Sequence, residues 1–291
     1  KAKEEADAAV EAARNAVKKA EAAVEASKAE AKAQIAKGSI GFFESVNSQK
    51  ALEQFKTTYK VKIKDKEGNF TGEEVPIMNY THMGADGDTT SLENMLKALD
   101  YIDQGNALRK AGDNNFAPMD ALRVTDELMA LAQINANASA ITRDHTHNWG
   151  GNVGQGEILA WHEDPFDGWY RAEKQFYDDN GGSVSYDDHK EGQYGYWIVN
   201  TTGHYEQVMN ANFKYAGFGF GSNPLVDIQQ ASTTTSETSY SVSDYRERLL
   251  KYYSPLRDAK DNGSKDAHTA LTAAQDKLAE KQAAQKEEET N

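Results

Sequence analysis

The two ends of the chain constrain its fold most, because both have the composition of long helices. Residues 1–37 are rich in Ala, Glu and Lys and contain neither Gly nor Pro. Apolar residues hold two positions of a seven-residue repeat there, which is the pattern of a helix that packs along a partner helix. Those residues are Val10, Val17 and Val24 at one position and Ala6, Ala13 and Ala20 at the other.

The last segment, residues 256–289, repeats this composition, with Ala267, Leu271, Ala274 and Leu278 at helical spacing. A helical pattern on both flanks predicts a globular part inserted between two long helices. We expect these helices to form an antiparallel coiled coil, within one chain or between chains, in which small Ala side chains allow close approach. Single solvated helices are the alternative. The predicted boundaries are a first arm at 1–37, a globular domain at 38–230, a linker and helix start at 231–255, and a second arm at 256–291.

Composition excludes several classes of protein. The 291 residues carry a formal net charge of -14, which argues against a nucleic-acid partner because phosphate binding requires clustered Lys and Arg. The chain has no cysteine, so no disulfide framework is possible. It also has no run of about 18 apolar residues, so we expect no membrane insertion of this segment. Because it begins and ends in low-complexity helix, we expect a piece of a longer protein, with secretion and anchoring signals outside it.

Local signals place further elements in the middle of the chain. Gly38 is expected to end the first arm, and Ser39 to cap a helix that runs to about Tyr59. Residues 60–75 alternate weakly around Gly68-Asn69 and indicate a small hairpin. Asp86-Gly87-Asp88 lacks the remaining ligands of a calcium loop and indicates a turn.

Helices and short strands follow in an order that favours a mixed fold. The predicted helices are 91–105, with Ser91 as its cap, 118–139 and 165–177. The predicted strands are 197–199 and 215–220. This order predicts an α+β domain of the α-β-α sandwich type, inserted between the two long helices.

Three short motifs bring together residue types that can do acid–base or metal chemistry. They are Gly156-Glu157, the segment Trp169-Tyr170-Arg171-Ala172-Glu173, and the segment Gly203-His204-Tyr205-Glu206-Gln207. His145 and His147 precede the first of them. Neutral imidazoles bind divalent metals, and carboxylates orient them or activate a water.

The three motifs, in this order, resemble the signatures of the CAP superfamily of cysteine-rich secretory, antigen-5 and pathogenesis-related proteins. The resemblance implies that segment 203–207 is a strand, and that one cleft holds Glu157, Glu173, His204 and His145 as the catalytic candidates. It also implies a divalent metal, such as zinc, held by His204 with His145 or His147, and the choice between those two stays open. Two positions depart from the family pattern. Ile158 stands where Asn is usual, and Asn210 or Asn212 stands where the family places Trp.

A second resemblance concerns biological context. The block from Gly38 to Glu44 is similar to the start of the surface-exclusion domain in streptococcal and enterococcal cell-wall proteins. This implies a secreted protein at the cell surface or cell wall of a Gram-positive bacterium, with another cell surface or surface protein as partner. Its role would be cell–cell contact, adhesion or conjugation surface exclusion. A metal-dependent peptidase or other hydrolase is the first alternative. Lipid or sterol binding is another, which the acidic composition and a mean hydropathy of -0.77 disfavour.

Overall fold

The computed structural model describes residues 2–151 and 155–290, which divide into a helical unit and a mixed unit. The helical unit contains the two chain ends, up to Ala36 and from Leu250, and the mixed unit is Lys37–Leu249. The α-helices are α1 (Ala2–Ala36), α2 (Gly38–Ser45), α3 (Gln49–Gln54), α4 (Leu92–Ala111), α5 (Asp126–Thr142), α6 (Glu173–Asn180), α7 (Gly203–Val208), α8 (Val242–Asn262) and α9 (Lys265–Thr290).

The strands are β1 (Lys60–Lys64), β2 (Phe70–Pro76), β3 (Arg123–Val124), β4 (Gln155–Ala160), β5 (Gly192–Tyr194), β6 (Trp197–Val199), β7 (Tyr215–Ser222) and β8 (Leu225–Ser232). Short 3-10 turns occupy Ile77–Tyr80 and Tyr186–Asp188, and a π-helix occupies Asp167–Ala172 directly before α6. Among the described residues, no helix is both long enough and apolar enough to cross a membrane.

In the helical unit, α1 and α9 pack along each other in opposite directions. Lys3 Nζ lies 3.8 Å from Glu289 Oε1 at one end of the pair. At the other end the backbone N–H of Ser264 donates to Ser27 Oγ at 2.8 Å. The buried residues of α1 recur at heptad spacing and are Val10, Ala13, Ala20, Val24 and Ala31. The facing side of α9 is only half-buried, at Ala267, Leu271, Ala274 and Leu278.

The predicted second arm, residues 256–291, contains the end of α8 and the whole of α9. Gly263, at φ +80°, separates α8 from α9. This left-handed conformation favours glycine. A Cβ atom there would also lie 2.7 Å from Cγ1 of Val24. Close contact with α1 therefore requires glycine at the break.

A four-stranded sheet organises the mixed unit, in the strand order β3-β7-β8-β4. The β3–β7 pair is parallel, and the β7–β8 and β8–β4 pairs are antiparallel. Since β4 is an edge strand, its residues have a neighbouring strand of this sheet on one side only. This places Glu157, on β4, at the margin of the sheet.

Alternation of Gly and Phe along β7 determines how helices cover the sheet. A Cβ at Gly217 would lie 2.1 Å from the backbone of Leu128, so α5 packs directly on the glycine face. On the opposite face, the ring of Phe218 stacks on Tyr101 of α4 with centroids 5.2 Å apart. Side chains of successive strand residues point to opposite faces. Helices therefore cover both faces, and the predicted mixed helix-and-sheet architecture is confirmed.

Several local predictions hold. The hairpin around Gly68-Asn69 is formed by β1 and β2, which pair antiparallel. Ser91 caps α4, since its side chain accepts a hydrogen bond from the backbone N–H of Asn94. Strands β6 and β7 cover the predicted ranges 197–199 and 215–220. The predicted helix at 165–177 is present, although it includes the π-helix and continues to Asn180.

Other boundaries were predicted wrongly. Ser39 lies inside α2 and is buried, and its backbone N–H donates to Thr90 O instead of starting a helix. The helix expected up to Tyr59 is broken between α2 and α3, where Asn47 adopts φ +55°. Gly105 does not end α4, which continues to Ala111, and the missing side chain at this position leaves room for the ring of Phe166. The helix expected from Pro118 begins only after Thr125, whose side chain accepts from the backbone N–H of Leu128.

Candidate active site

The first pair of the site joins His145, just after α5, to Glu157 on β4. Nδ1 of His145 lies 2.6 Å from Oε1 of Glu157. The carboxylate is buried, with 1% of its side chain exposed, whereas the imidazole is 36% exposed. The hydrogen bond to Glu157 raises the pKa of His145, and burial of the ring opposes that shift only in part. The pair thus presents a partly exposed ring that a buried carboxylate orients.

Two asparagines that the sequence motifs did not indicate support this pair. Nδ2 of Asn135 on α5 donates to the other oxygen of Glu157, Oε2, at 3.0 Å. Asn135 also exchanges hydrogen bonds with Asn148, donating to its carbonyl at 2.9 Å and accepting from its side chain at 3.0 Å. The loop that carries His145 is therefore fixed to α5. The sequence of α5 does not reveal the role of Asn135. Its complete burial in the folded domain does, because a buried amide needs hydrogen-bond partners.

The second pair joins His204 on α7 to Glu173 at the start of α6. Oε1 of Glu173 is hydrogen-bonded to Nδ1 of His204. Its other oxygen accepts the backbone N–H groups of His204 at 2.8 Å and of Tyr205 at 3.0 Å. The indole of Trp169 stacks beside the imidazole with centroids 6.3 Å apart. The segment 203–207 was expected to be a strand, and that expectation is wrong: it is the first part of α7.

The reason for this difference is the carboxylate of Glu173. The first N–H groups of a helix have no partner within it, and an acceptor must come from elsewhere. Here Glu173 supplies that acceptor from another helix, and its negative charge suits a helix N-terminus. A helix of six residues is stabilised by such a contact, which no periodicity in the segment reveals.

Gly156 of β4 lies against Gln207 of α7, the helix that carries His204. A Cβ at Gly156 would lie 2.5 Å from Oε1 of Gln207 and 2.7 Å from the ring of Phe213, so only glycine allows this approach. Neighbouring residues of a strand point to opposite sides. Glu157 accordingly faces Asn135 of α5, whereas Gly156 faces α7. The two residues of the Gly-Glu motif therefore have different roles: Glu157 belongs to the first His–Glu pair, and Gly156 makes room for the helix that carries His204.

Tyr205 of the Gly-His-Tyr motif fixes α7 to the helix that carries Glu173. The hydroxyls of Tyr205 and Tyr170 both donate to Oδ2 of Asp113, each at 2.8 Å. Burial tends to raise the pKa of Asp113, but hydrogen bonds from the Asn115 backbone and from these two tyrosines lower it overall. Asp113 thus joins two motifs that are separated in the chain, and the sequence offered no signal for it.

Arg109 fixes the other end of α7. Its guanidinium is buried, 1% exposed, and donates to the carbonyls of Val208 at 2.8 Å and Asn210 at 3.0 Å. It also donates to the carbonyls of Asp120 and Phe213. Burial lowers the pKa of Arg109 to about 10. A planar group with five donors can serve these carbonyls at once, which lysine cannot do.

His147, the other upstream histidine, is placed differently from His145. Its ring centroid lies 6.2 Å from that of His145 and 6.4 Å from the indole of Trp149. It is exposed, and it adopts φ +55°. Of the two upstream histidines, the structure brings His145 to a carboxylate.

Each of the two imidazoles has the hydrogen-bond arrangement of a metal ligand. Each imidazole uses Nδ1 for its carboxylate, and within 2–151 and 155–290 neither Nε2 atom has a hydrogen-bond partner. Histidines that ligate a metal commonly donate their other ring N–H to a carboxylate. However, no three His, Asp or Glu side chains in the described ranges are grouped as a ligand set. Two imidazoles would have to be completed by water.

Residues 102–227 match the family model "CAP: Cysteine-rich secretory protein family". This range contains both His–Glu pairs, Asp113 and Arg109, so this part of the chain is a CAP domain. No curated protein and no solved structure matches the chain.

Proposed function

We propose that this chain is a cell-surface CAP-domain protein that acts in cell–cell contact, adhesion or conjugation surface exclusion in a Gram-positive bacterium. The supporting observation is that the CAP domain lies, in sequence, between two helices, α1 and α9, that run antiparallel with an apolar heptad seam on α1. We interpret these helices as a coiled coil that serves as a spacer, since a helix gains about 1.5 Å of length per residue. The partner would be a protein or other component of a second cell surface.

The environment of the two glutamates favours a contact role over catalysis. A general base needs an oxygen that is free to accept a proton from water or substrate. Both oxygens of Glu173 are occupied by His204 and Tyr205, and those of Glu157 by His145 and Asn135. Both carboxylates are therefore placed to orient an imidazole, and Glu173 in addition holds the first turn of α7.

Cell binding by the full chain tests the contact proposal. Fluorescently labelled protein is added to Gram-positive cells, and bound fluorescence is measured with and without excess unlabelled protein. We expect saturable binding that unlabelled protein displaces. The His204→Ala variant should bind equally well, because a contact role does not need the imidazole. Binding that never saturates, or that His204→Ala abolishes, would argue against this function.

A metal-assisted hydrolase is the second candidate, and the observation that favours it is the pair of imidazoles whose Nε2 atoms have no hydrogen-bond partner in the part of the chain that the structure describes. A divalent metal such as zinc, held by His204 and His145, would polarise a substrate carbonyl and lower the pKa of a bound water. The chain's own contribution would be to fix both rings through Nδ1 and to exclude water with the indole of Trp169, which is 2% exposed.

Zinc calorimetry at two pH values tests this second candidate. We expect weak binding at pH 7.5 and much less at pH 5.5, because protonated imidazole cannot bind a metal. The hydrogen bond to Glu157 raises the pKa of His145, so protons should compete at a higher pH than for a free histidine. Binding should be lost in His204→Ala and His145→Ala and kept in His189→Ala and His147→Ala. Equal titration of wild type and His204→Ala would exclude this metal site.

A further inference from the structure

A groove separate from the two His–Glu pairs lies between the helical segment 167–175 and the β5–β6 hairpin. Its volume is about 500 Å³, and it is lined by Asp167, Arg171 and Gln175 of the helical segment and by Gln193, Tyr196 and Trp197 of the hairpin. Asp167, Arg171 and Gln175 are four residues apart on the less buried side of this segment. Trp169 and Glu173, which serve the second pair, are buried on its other side. One helical segment therefore carries two unrelated sets of residues.

Aromatic side chains form one wall of the groove. Tyr194 and Trp197 are cross-strand partners in the hairpin, and Tyr196 lies in the turn between them. The rings of Tyr196 and Trp197 have centroids 4.9 Å apart and planes 33° apart. Tyr196 is 66% exposed, although burial would remove its apolar ring from water. Contiguous exposed apolar surface of this kind often marks a binding site.

Glycine at position 168 allows the aromatic wall to lie against the helix. A Cβ there would be 2.9 Å from Cζ3 of Trp197, which no side chain could accept without displacing the indole. The indole also contacts the imidazole of His162, with centroids 4.1 Å apart. These contacts hold Trp197 in place beside the exposed ring of Tyr196.

The polar part of the groove has little net charge. Arg171 is ion-paired with Asp164 at 2.6 Å and with Asp167. The other polar lining residues outside the aromatic wall, Gln175 and Gln193, are neutral amides. An anionic ligand would meet Asp167 as well as Arg171, whose charge is already balanced by its two aspartate partners, and the chain's net charge of -14 would repel it further. The groove thus offers hydrogen-bond donors and acceptors to a neutral ligand.

We propose that this groove binds a neutral oligosaccharide. A pyranose ring has an apolar C–H face, which an exposed aromatic ring can cover, and hydroxyl groups that amides and a carboxylate can hydrogen-bond. Binding sites generally combine an apolar or aromatic surface with a few polar groups that fix orientation. Tyrosine suits such a role because it provides an apolar ring and a polar tip. The site is separate from the imidazoles, so it goes beyond both functions proposed above.

Calorimetry on the full chain with three probes tests the proposal: tri-N-acetylchitotriose, cellotriose and maltotriose. We expect at least one of them to bind with a Kd in the range of roughly 0.1–10 mM. In the Tyr196→Ala variant the affinity for that sugar should fall about tenfold, the equivalent of about 1.4 kcal/mol, and Gln175→Ala should weaken it as well. Circular dichroism should show that Tyr196→Ala folds normally, because the side chain is exposed.

Tyr186 provides a matched control, since it is 70% exposed but does not line the groove. Tyr186→Ala should bind the sugar as wild type does. His204→Ala should also bind it normally, which separates this site from the His–Glu pairs. The proposal is overturned if none of the three sugars binds at about 10 mM, or if Tyr186→Ala loses as much affinity as Tyr196→Ala. Either outcome would overturn the sugar-binding proposal without affecting the proposed role in cell–cell contact, because that role also allows a protein partner.

Discussion

Glu173 is bonded to His204 at two points, to the ring through Oε1 and to the backbone N–H through Oε2. In the neutral imidazole, this ring contact makes Nδ1 the donor, so that Nε2 is the nitrogen with the lone pair. The backbone contact, with the N–H of Tyr205 as well, caps the first turn of α7. One buried carboxylate therefore determines both where the histidine lies and which of its nitrogens is available.

Replacing Glu173 should destabilise the domain through this cap. Glu173→Ala leaves one buried and one partly buried backbone N–H group without an acceptor, so we expect a loss of about 1–3 kcal/mol in the free energy of unfolding. Glu173→Gln keeps a neutral acceptor and should lose less. Urea denaturation measures both. Glu191→Ala, at an exposed position, is the control and should unfold like wild type. An Ala variant as stable as wild type would show that α7 does not depend on this cap.

The two motif glycines should respond differently to the same substitution. Gly156→Ala places a methyl group against Gln207 and Phe213 and should cost about 1–3 kcal/mol. Gly203→Ala meets only Thr201 Oγ1 at 3.4 Å and should be tolerated. The double variant Gly156→Ala/Gln207→Ala should recover part of the loss, because it removes one of the two clashes. Thermal unfolding of the four proteins, wild type included, checks this; equal effects at both glycines would contradict it.

Sequence alone predicted those parts of the fold that depend on local chemistry. The hairpin at Gly68-Asn69 and the cap at Ser91 were both found, since each is determined by residues within a few positions. The family match likewise agrees with the resemblance that the three motifs suggested. Local signals fail to predict secondary structure where it depends on a residue that is distant in the sequence. Segment 203–207 is helical because Glu173 caps it, and the glycine at position 105, expected to end α4, instead leaves room for Phe166 inside that helix.

The candidate site shows the same division. His204 and the two glutamates lie in recognisable motifs, and His145 lies shortly before the first of them, whereas the residues that hold these side chains lie outside the motifs. Arg109, Asn135 and Asp113 look like ordinary polar residues of helices or loops until tertiary structure places them beside a carbonyl, an amide or a tyrosine. Burial of such groups is tolerated only when they are hydrogen-bonded. That condition is a property of the folded domain and cannot be read from spacing along the chain.

In the helical unit, substitution at the seam should have a larger effect than substitution beside it. Val24 is 6% exposed and contacts Gly263, whereas the adjacent Ala23 is exposed. Val24→Asp would bury an unpaired charge, so we expect lower helicity at 222 nm and an earlier thermal transition. Ala23→Asp should change little, since its carboxylate stays in water. Equal loss in both variants would indicate that α1 is a solvated helix without a packed seam.

Asp227 should make the stability of the mixed unit depend on pH. It is fully buried on β8, and neither carboxylate oxygen has a hydrogen-bond partner among the described residues. Burial raises its pKa to about 8; Asp164 adds to this shift, and Lys97 opposes it. Between these two pKa values, 3.8 for the unfolded chain and about 8 for the folded domain, the folded state keeps a proton on Asp227 that the unfolded state has released. Stability due to this group is present at about pH 4 and is lost as pH rises towards 8.

The isosteric variant Asp227→Asn separates this effect from other titrating groups. Amide and protonated carboxyl are both neutral, so the variant should match wild type at about pH 4 and exceed it increasingly up to pH 8. Each unit of pKa shift contributes about 1.4 kcal/mol, and we expect the difference at pH 8 to be at least that large. Urea unfolding at pH 5, 6.5 and 8 measures it, with exposed Asp187→Asn as the control. A constant difference between Asp227→Asn and wild type across this range would mean that Asp227 is ionised in the folded domain.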